Sequence, residues 1–209
     1  MKLRFWNHEL NSDIDKYPIL EAKKLVPQWI KNLPIHVGDT TQKTIKYCPG
    51  IMQYITTGFV LQNWFDVIIK TKKDATVRPP IDIVYPNVHS NDNKIYISHS
   101  SVFNKKIKNL NERQTPLLLK WKTGWNCEAP VGYDLLILPA MYHPTLDFTI
   151  PHGILDTRIT TQLNVQMAWH PSKHEVFIPA GTPLMQIIPL KREEIGYSID
   201  RIENKNYLL

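Results

Sequence analysis

The sequence predicts one mainly β domain, a barrel or sandwich of jelly-roll type with one or two short helices. Three observations predict it. Short runs of β-branched and aromatic residues recur between Pro- and Gly-containing turns, the pattern of an all-β domain. Prolines outnumber glycines 16 to 8, and proline sits badly inside helices and central strands, which favours short strands joined by rigid turns. The segment 161–169 alternates apolar and polar side chains without a break. Neither a βαβ alternation nor a repeat of fixed period competes with this reading.

The chain of 209 residues is expected to form a single domain: an irregular N-terminal arm over 1–43 and a β-rich core over 44–209. In the arm, Pro27 stands where a helix can begin, because its missing N–H is not needed there. Trp29, Ile30 and Leu33 then share one helix face, Pro34 ends the helix, and Trp29 is expected to cap the core. Thr44–Tyr47 reads as a strand running into a Cys48-Pro49-Gly50 turn. Phe59–Lys70 is an apolar run centred on Val67-Ile68-Ile69. Ile81–Tyr85 and Lys94–Ile97 are short strands around turn chemistry at 89–93. Residues 100–116 read as a loop or one short helix, with Phe103, Ile107 and Leu110 at helical spacing.

The second half is clearer. Asp134–Leu138 is a buried-type strand ended by Pro139. Along 161–169, Leu163, Val165, Met167 and Trp169 fall on one face and Gln162, Asn164, Gln166 and Ala168 on the other, as side chains of a strand must. The turn His170–Lys173 leads to Val176–Ile178. Pro179-Ala180-Gly181 then leads to Leu184–Ile188.

Composition narrows function. A hydrophobic fraction of 43% argues against disorder. The first nine residues lack the apolar core of a signal peptide, and no apolar run approaches the ~20 residues of a membrane-spanning helix. The expected setting is therefore a reducing cytosol, with which a particle assembled in that cytosol is equally compatible, and Cys48 and Cys127 are expected as free, buried thiols. The net charge of +6 and the lysine groups at 70–73, 105–108 and 120–122 allow weak, non-specific contact with nucleic acid, but no nucleic-acid-binding motif accompanies them. His170 and His174 lie in a turn without the Glu of a zinc-protease motif, and His89 and His99 flank a strand, so no metal site or cofactor is expected. Catalytic-serine, phosphate-loop and dinucleotide motifs are missing too. The tryptophans at 6, 64, 121, 125 and 169 are expected in the core. The apolar Tyr207-Leu208-Leu209 either adds to a sheet edge or docks on a partner.

Two resemblances add to this. Cys48-Pro49-Gly50, Gly58-Phe59, Trp125 with Ala129-Pro130, Gly132-Tyr133 and Gly181–Pro189 resemble a protein family of tailed phages, including cyanophages. That implies a viral origin and little about activity. Residues 132–190 resemble the β-clip of dUTPases and dCTP deaminases, through Asp134–Leu138, Gly153-Ile154-Leu155-Asp156, Thr161–Trp169 and Gly181–Gln186. This resemblance implies positive φ at Gly153 and Gly181, a Gln186 that joins main-chain groups of neighbouring strands, and a trimer. It implies a nucleotide or small-ligand site at Asp156, Arg158, Gln162 and Gln186. The catalytic pattern is departed from: Ile159 stands where a sugar-stacking Tyr is expected, Thr161 where Gly is, and Ala140-Met141 where Arg-Ser is. Gly132-Tyr133-Asp134-Leu135 resembles a metal-site string but falls in the wrong order, and reads as coincidence. The expectation is a non-enzymatic phage-type protein, virion-associated or acting in assembly, whose partners are other protein chains. The alternative is a ligand-binding dUTPase-like protein.

Overall fold

The computed structural model describes residues 2–7, 13–72, 81–86, 94–97, 117–143, 147–194 and 196. Three short helices lie in the first third: α1 (Asp13–Lys16), α2 (Gln28–Asn32) and α3 (Pro49–Thr56). The strands are β1 (Arg4–Asn7), β2 (Leu20–Glu21), β3 (Phe59–Gln62), β4 (Val67–Thr71), β5 (Ile81–Val84), β6 (Ile95–Ile97) and β7 (Leu117–Trp121). They continue as β8 (Trp125–Glu128), β9 (Tyr133–Pro139), β10 (Phe148–Thr149), β11 (Gly153–Leu155), β12 (Val165–Trp169), β13 (Glu175–Ile178) and β14 (Pro183–Lys191). The fold is mainly β. Among the described residues, no helix is long and apolar enough to cross a membrane.

The strands form a five-stranded sheet β11-β9-β14-β3-β2, a four-stranded sheet β10-β12-β7-β6, a three-stranded sheet β13-β4-β5 and the pair β1-β8. Inward rows of all of them meet in one core: Leu61, Leu135 and Ile187 from the first sheet, Leu119, Trp121, Val165, Met167 and Trp169 from the second, Val67, Ile69 and Ile178 from the third, and Cys127 from the pair. Phe65 stacks on Trp121 at 5.4 Å between centroids and meets Trp64 edge-on at 5.0 Å. The Trp169 indole N–H donates to Thr71 Oγ1 at 3.0 Å, tying β12 to β4. The predicted alternation is realised: Leu163, Val165, Met167 and Trp169 are buried, and β12 lies inside its sheet between β10 and β7.

Several expectations are corrected. The described residues among the first 43 do not form an irregular arm: β1 pairs with β8, β2 pairs with β3, and Ile14 of α1 sits in the main core. The helix after Pro27 forms, but its buried residue is Ile30. Trp29 is 45% exposed, with its indole N–H donating to Tyr142 O at 2.8 Å. Adjacent positions of a helix point about 100° apart, so with Ile30 turned inward Trp29 falls to the side of the helix. Thr44–Tyr47 is not a strand. Ile45–Tyr47 is a 3-10 turn, and Pro49 opens α3 at the position where a fixed φ and a missing N–H cost nothing. Gly153 has no positive φ; it begins β11, paired with Ile137, whereas Gly181 does turn at φ 85°. The expectations for 89–93, 100–116, His89, His99 and Tyr207–Leu209 lie outside the described residues.

On the outer side of the five-stranded sheet, α3 packs against β14. Gly58 (φ 77°) turns the chain from α3 into β3 so close to β14 that an added Cβ would lie 2.2 Å from Ile187 O. The buried Gln186 amide, outward on β14, donates to Tyr54 O at 2.7 Å and Thr57 O at 2.6 Å. It thereby pins the end of α3, adding a second donor to Tyr54 O, which also accepts the Thr57 N–H at 3.2 Å, and bonding the Thr57 carbonyl just past the helix. Tyr54 Oη donates to Pro139 O at 2.8 Å. So α3 is clamped over one part of that outer face, and among the described residues no helix covers the part nearer β11.

Candidate functional site

Asp156 follows β11 in a turn. Its Oδ1 accepts the Arg158 backbone N–H at 2.9 Å, an Asx-type turn, and Thr157 Oγ1 accepts the Ala129 N–H at 3.1 Å, fastening the turn to the end of β8. The Arg158 guanidinium returns to the same carboxylate, Nε at 3.0 and 3.2 Å and Nη2 at 2.7 Å. Arg192, placed by its N–H to Gly132 O at 2.8 Å, reaches Asp156 Oδ1 with Nη2 at 2.9 Å and Asp134 Oδ2 with Nε at 2.6 Å, and Nη2 also bonds Asp134 Oδ1. Arg158 above all, then Arg192, holds the Asp156 carboxyl well below the usual carboxylate range. Asp134 and Asp156 hold the Arg192 guanidinium above its ordinary value. Asp156 is therefore ionised at neutral pH, beside the charged Arg158 and Arg192 guanidiniums. Its contribution to stability is present above the carboxyl's unfolded pKa and is lost as pH falls through the lowered folded value. An ionised carboxylate ringed by two guanidiniums is a poor general acid and a crowded metal ligand.

Of the four predicted site residues, Asp156 and Arg158 are thus joined, and the structure adds Asp134 and Arg192. Gln162 is exposed, and its side-chain Oε1 accepts from Asn164 Nδ2 at 3.0 Å. Gln186 is 3% exposed and occupied beneath α3. Asp134 is accessible to sequence reasoning through its string at 132–135. Arg192 is not, because only the pairing of Leu190 with Asp134 and of Lys191 with Tyr133 brings the end of β14 to the start of β9.

The outward row beside this network is apolar. Ile154, Leu136 and Ile188 lie in register across β11, β9 and β14. Leu136 and Ile188 are half-buried, Ile154 is 63% exposed, and Leu190, opposite Asp134, is 40% exposed. Ile159 and Val131 stand out to solvent in the turns at the same end. The result is an apolar strip bounded by α3 on one side and by two carboxylates and two guanidiniums on the other.

Two hollows are small for a ligand site, whose volume is typically about 300–1,000 Å³. One, of about 230 Å³, is lined by His143, Asp147, Phe148, Phe177, Ile178 and Pro183. It adjoins Tyr142, held at φ 66°, and burial pushes the His143 imidazole toward its neutral form. The other, of about 250 Å³, lies among Asp13, Lys16, Tyr17, Trp64 and Asp66. Among the described residues, no three His, Cys, Asp or Glu side chains are grouped to hold a metal ion.

Both cysteines are free. Cys127 is fully buried and burial, then Glu128, pushes its thiol up to about 12. Cys48 is exposed, contrary to expectation, because it precedes α3 on the surface. Titration of the native protein with a disulfide reagent at about pH 8, near the ordinary thiol pKa, should show one fast thiol, and a second only on denaturation. Two fast thiols in the native protein would contradict this placement of β8.

The mainly β class of the protein is defined by these sheets. No protein-family model and no curated protein matches the sequence. Among solved structures the chain is similar to one described as native EIAV dUTPase, with 13% identity over 72% of this chain and 87% of that chain and a TM-score of 0.36. A likeness of that size carries no argument about chemistry.

Proposed function

We propose that this chain is a non-enzymatic protein-interaction component whose first partner is a second copy of itself. The observation that carries the reading is the apolar strip of Ile154, Leu136, Ile188 and Leu190 beside the network of Asp134, Asp156, Arg158 and Arg192. Contiguous apolar surface rimmed by polar groups marks interaction sites on soluble proteins. A twofold contact sets the same patch against itself, so its rim must be self-complementary. This rim carries both signs in equal number, and the Arg158 side chain is 72% exposed and able to reach across. The β11 edge, three residues long, lies alongside.

The setting proposed is phage assembly or the virion, in the host cytoplasm or the particle, and it rests on the sequence landmarks alone. Mass spectrometry of purified particles tests it. The reading as a nucleotide-binding protein draws no support from the site, since Gln186 is occupied under α3 and Asp156 by two guanidiniums.

Sedimentation velocity over a concentration series tests the self-association. The wild-type chain should pass from monomer to dimer or higher oligomer. Ile154→Glu should weaken that step by about 100-fold or more, since each of two copies loses the burial of an isoleucine, about 1.5–3 kcal/mol. Its thermal melt should be unchanged at low concentration, because Ile154 supports no core contact. A wild-type chain that stays monomeric throughout removes the proposal.

A further inference from the structure

We infer that the segment 197–209 of this chain lies as an added strand along the free edge of β13, with Leu208 in the hollow beside it. β13 is the end strand of its three-stranded sheet and pairs only with β4. The Thr71 N–H donates to His174 O at 2.7 Å, which continues the register of Glu175 with Lys70 by one position. Hydrogen-bonded positions alternate along an antiparallel pair, so Val176 and Ile178 bond to β4 as His174 does. The N–H and C=O groups of Glu175 and Phe177 therefore point away from β4, and among the described residues no main-chain group meets them.

The side chains leave this edge open too. Phe177 is 55% exposed. The strand's one charged residue, Glu175, is tied to Lys70 Nζ at 2.9 Å, and the strand carries neither proline nor bulge. Proteins cover such edges, because an open one templates pairing with other chains. The hollow of about 230 Å³ runs along β13: Val176, Phe177 and Ile178 line it together with Phe148 of β10, itself an edge strand. A space of this size suits an apolar side chain better than a whole ligand.

The chain carries a segment that fits. It continues past Gly196 through residues 197–209, which include the apolar Tyr207-Leu208-Leu209. On a strand, Tyr207 and Leu209 fall on one face and Leu208 on the other. The first face covers Phe177, the second sends Leu208 into the hollow, and the main chain meets Glu175 and Phe177. The reach suffices. β14 starts beside the hollow at Pro183 and carries the chain about 26 Å away by Lys191, at ~3.3 Å per residue. Residues 197–206 can span roughly 33–36 Å on the way back. This edge is separate from the strip on β9, β11 and β14, and the inference does not need the self-association proposed there.

Amide hydrogen exchange of the full chain, followed residue by residue in NMR spectra, tests this. The Glu175 and Phe177 amides should be protected alongside those of Val176 and Ile178. Removal of residues 207–209 should speed exchange at Glu175 and Phe177 by roughly tenfold or more, and leave Val176 and Ile178, which bond to β4, within about twofold. L208D keeps the length, places a charge at the hollow, and should do the same. Should the truncated chain not fold, L208D carries the test. Protection should persist in Ile154→Glu and on dilution of the wild type, since the segment lies on its own chain. Fast exchange at Glu175 and Phe177 in the wild-type chain, protection that survives both variants, or protection lost on dilution, which would put the segment on a second copy, would overturn the inference.

Discussion

Trp169→Ala should lower the unfolding free energy by about 3–5 kcal/mol, the usual cost of emptying a buried tryptophan site. That is a large share of the roughly 5–15 kcal/mol by which domains are stable. Trp169 is fully buried on β12, opposite Leu117 on one side and Phe148 on the other. Its indole N–H reaches Thr71 Oγ1 at 3.0 Å on β4, so the substitution opens a cavity and unties the four-stranded from the three-stranded sheet. Trp169→Phe separates the two effects: it keeps most of the volume, loses the hydrogen bond, and should cost about 1–2 kcal/mol. Equilibrium denaturation of both variants measures this. A loss below about 1 kcal/mol in Trp169→Ala would mean that β12 is not an interior strand.

Gly58→Ala should be comparably damaging although it adds one methyl. The residue has φ 77°, where a Cβ costs roughly 1–2 kcal/mol by itself. The methyl would also lie 2.2 Å from Ile187 O and 3.0 Å from Ile188 Cγ1. The first neighbour is backbone in the middle of β14, so the strand or α3 must shift, and the bonds of Gln186 to Tyr54 O and Thr57 O shift with them. A total of about 3 kcal/mol or more is expected. Gly132→Ala is the control: its φ is 84° with nothing within 4 Å of the added atom, so it should cost only the backbone part. Chemical denaturation of both variants checks the difference, and equal losses would contradict the close approach of α3 and β14.

The parts of the fold legible in the sequence are those where one face is buried and the other is not. The alternation at 163–169 marks β12, and the apolar runs around Val67 and Leu135 mark β4 and β9, because burial writes itself into a period of two. The chain before β3 is less legible. Arg4–Asn7 carries no alternating signal of its own and becomes a strand only because β8 offers it an edge. Cys48-Pro49-Gly50 reads as a turn, yet the same proline is suited to the first position of α3. The candidate site divides in the same way. Asp156 and Arg158 are local in sequence and can be read together. Arg192 and Asp134 join them through pairing across β9 and β14, which no local pattern records. Gln186 reads as a polar residue in a matched turn, and its amide proves to be the end-cap of a helix much earlier in the chain, a role set by tertiary contact. Ile154 and Leu190 look like ordinary strand residues, and only the folded structure shows that nothing among the described residues covers them.

The most direct test of the interaction role is a cross-link through the strip. Ile154→Cys in a Cys48→Ser background leaves Cys127 as the other thiol, buried and pushed up to about 12. Treatment with a short bismaleimide at low protein concentration should yield a covalent dimer from Ile154→Cys and none from Lys24→Cys, which is exposed on another part of the surface. A chain that remains monomeric under these conditions, or cross-links equally from both positions, would contradict a self-associating face on β9, β11 and β14.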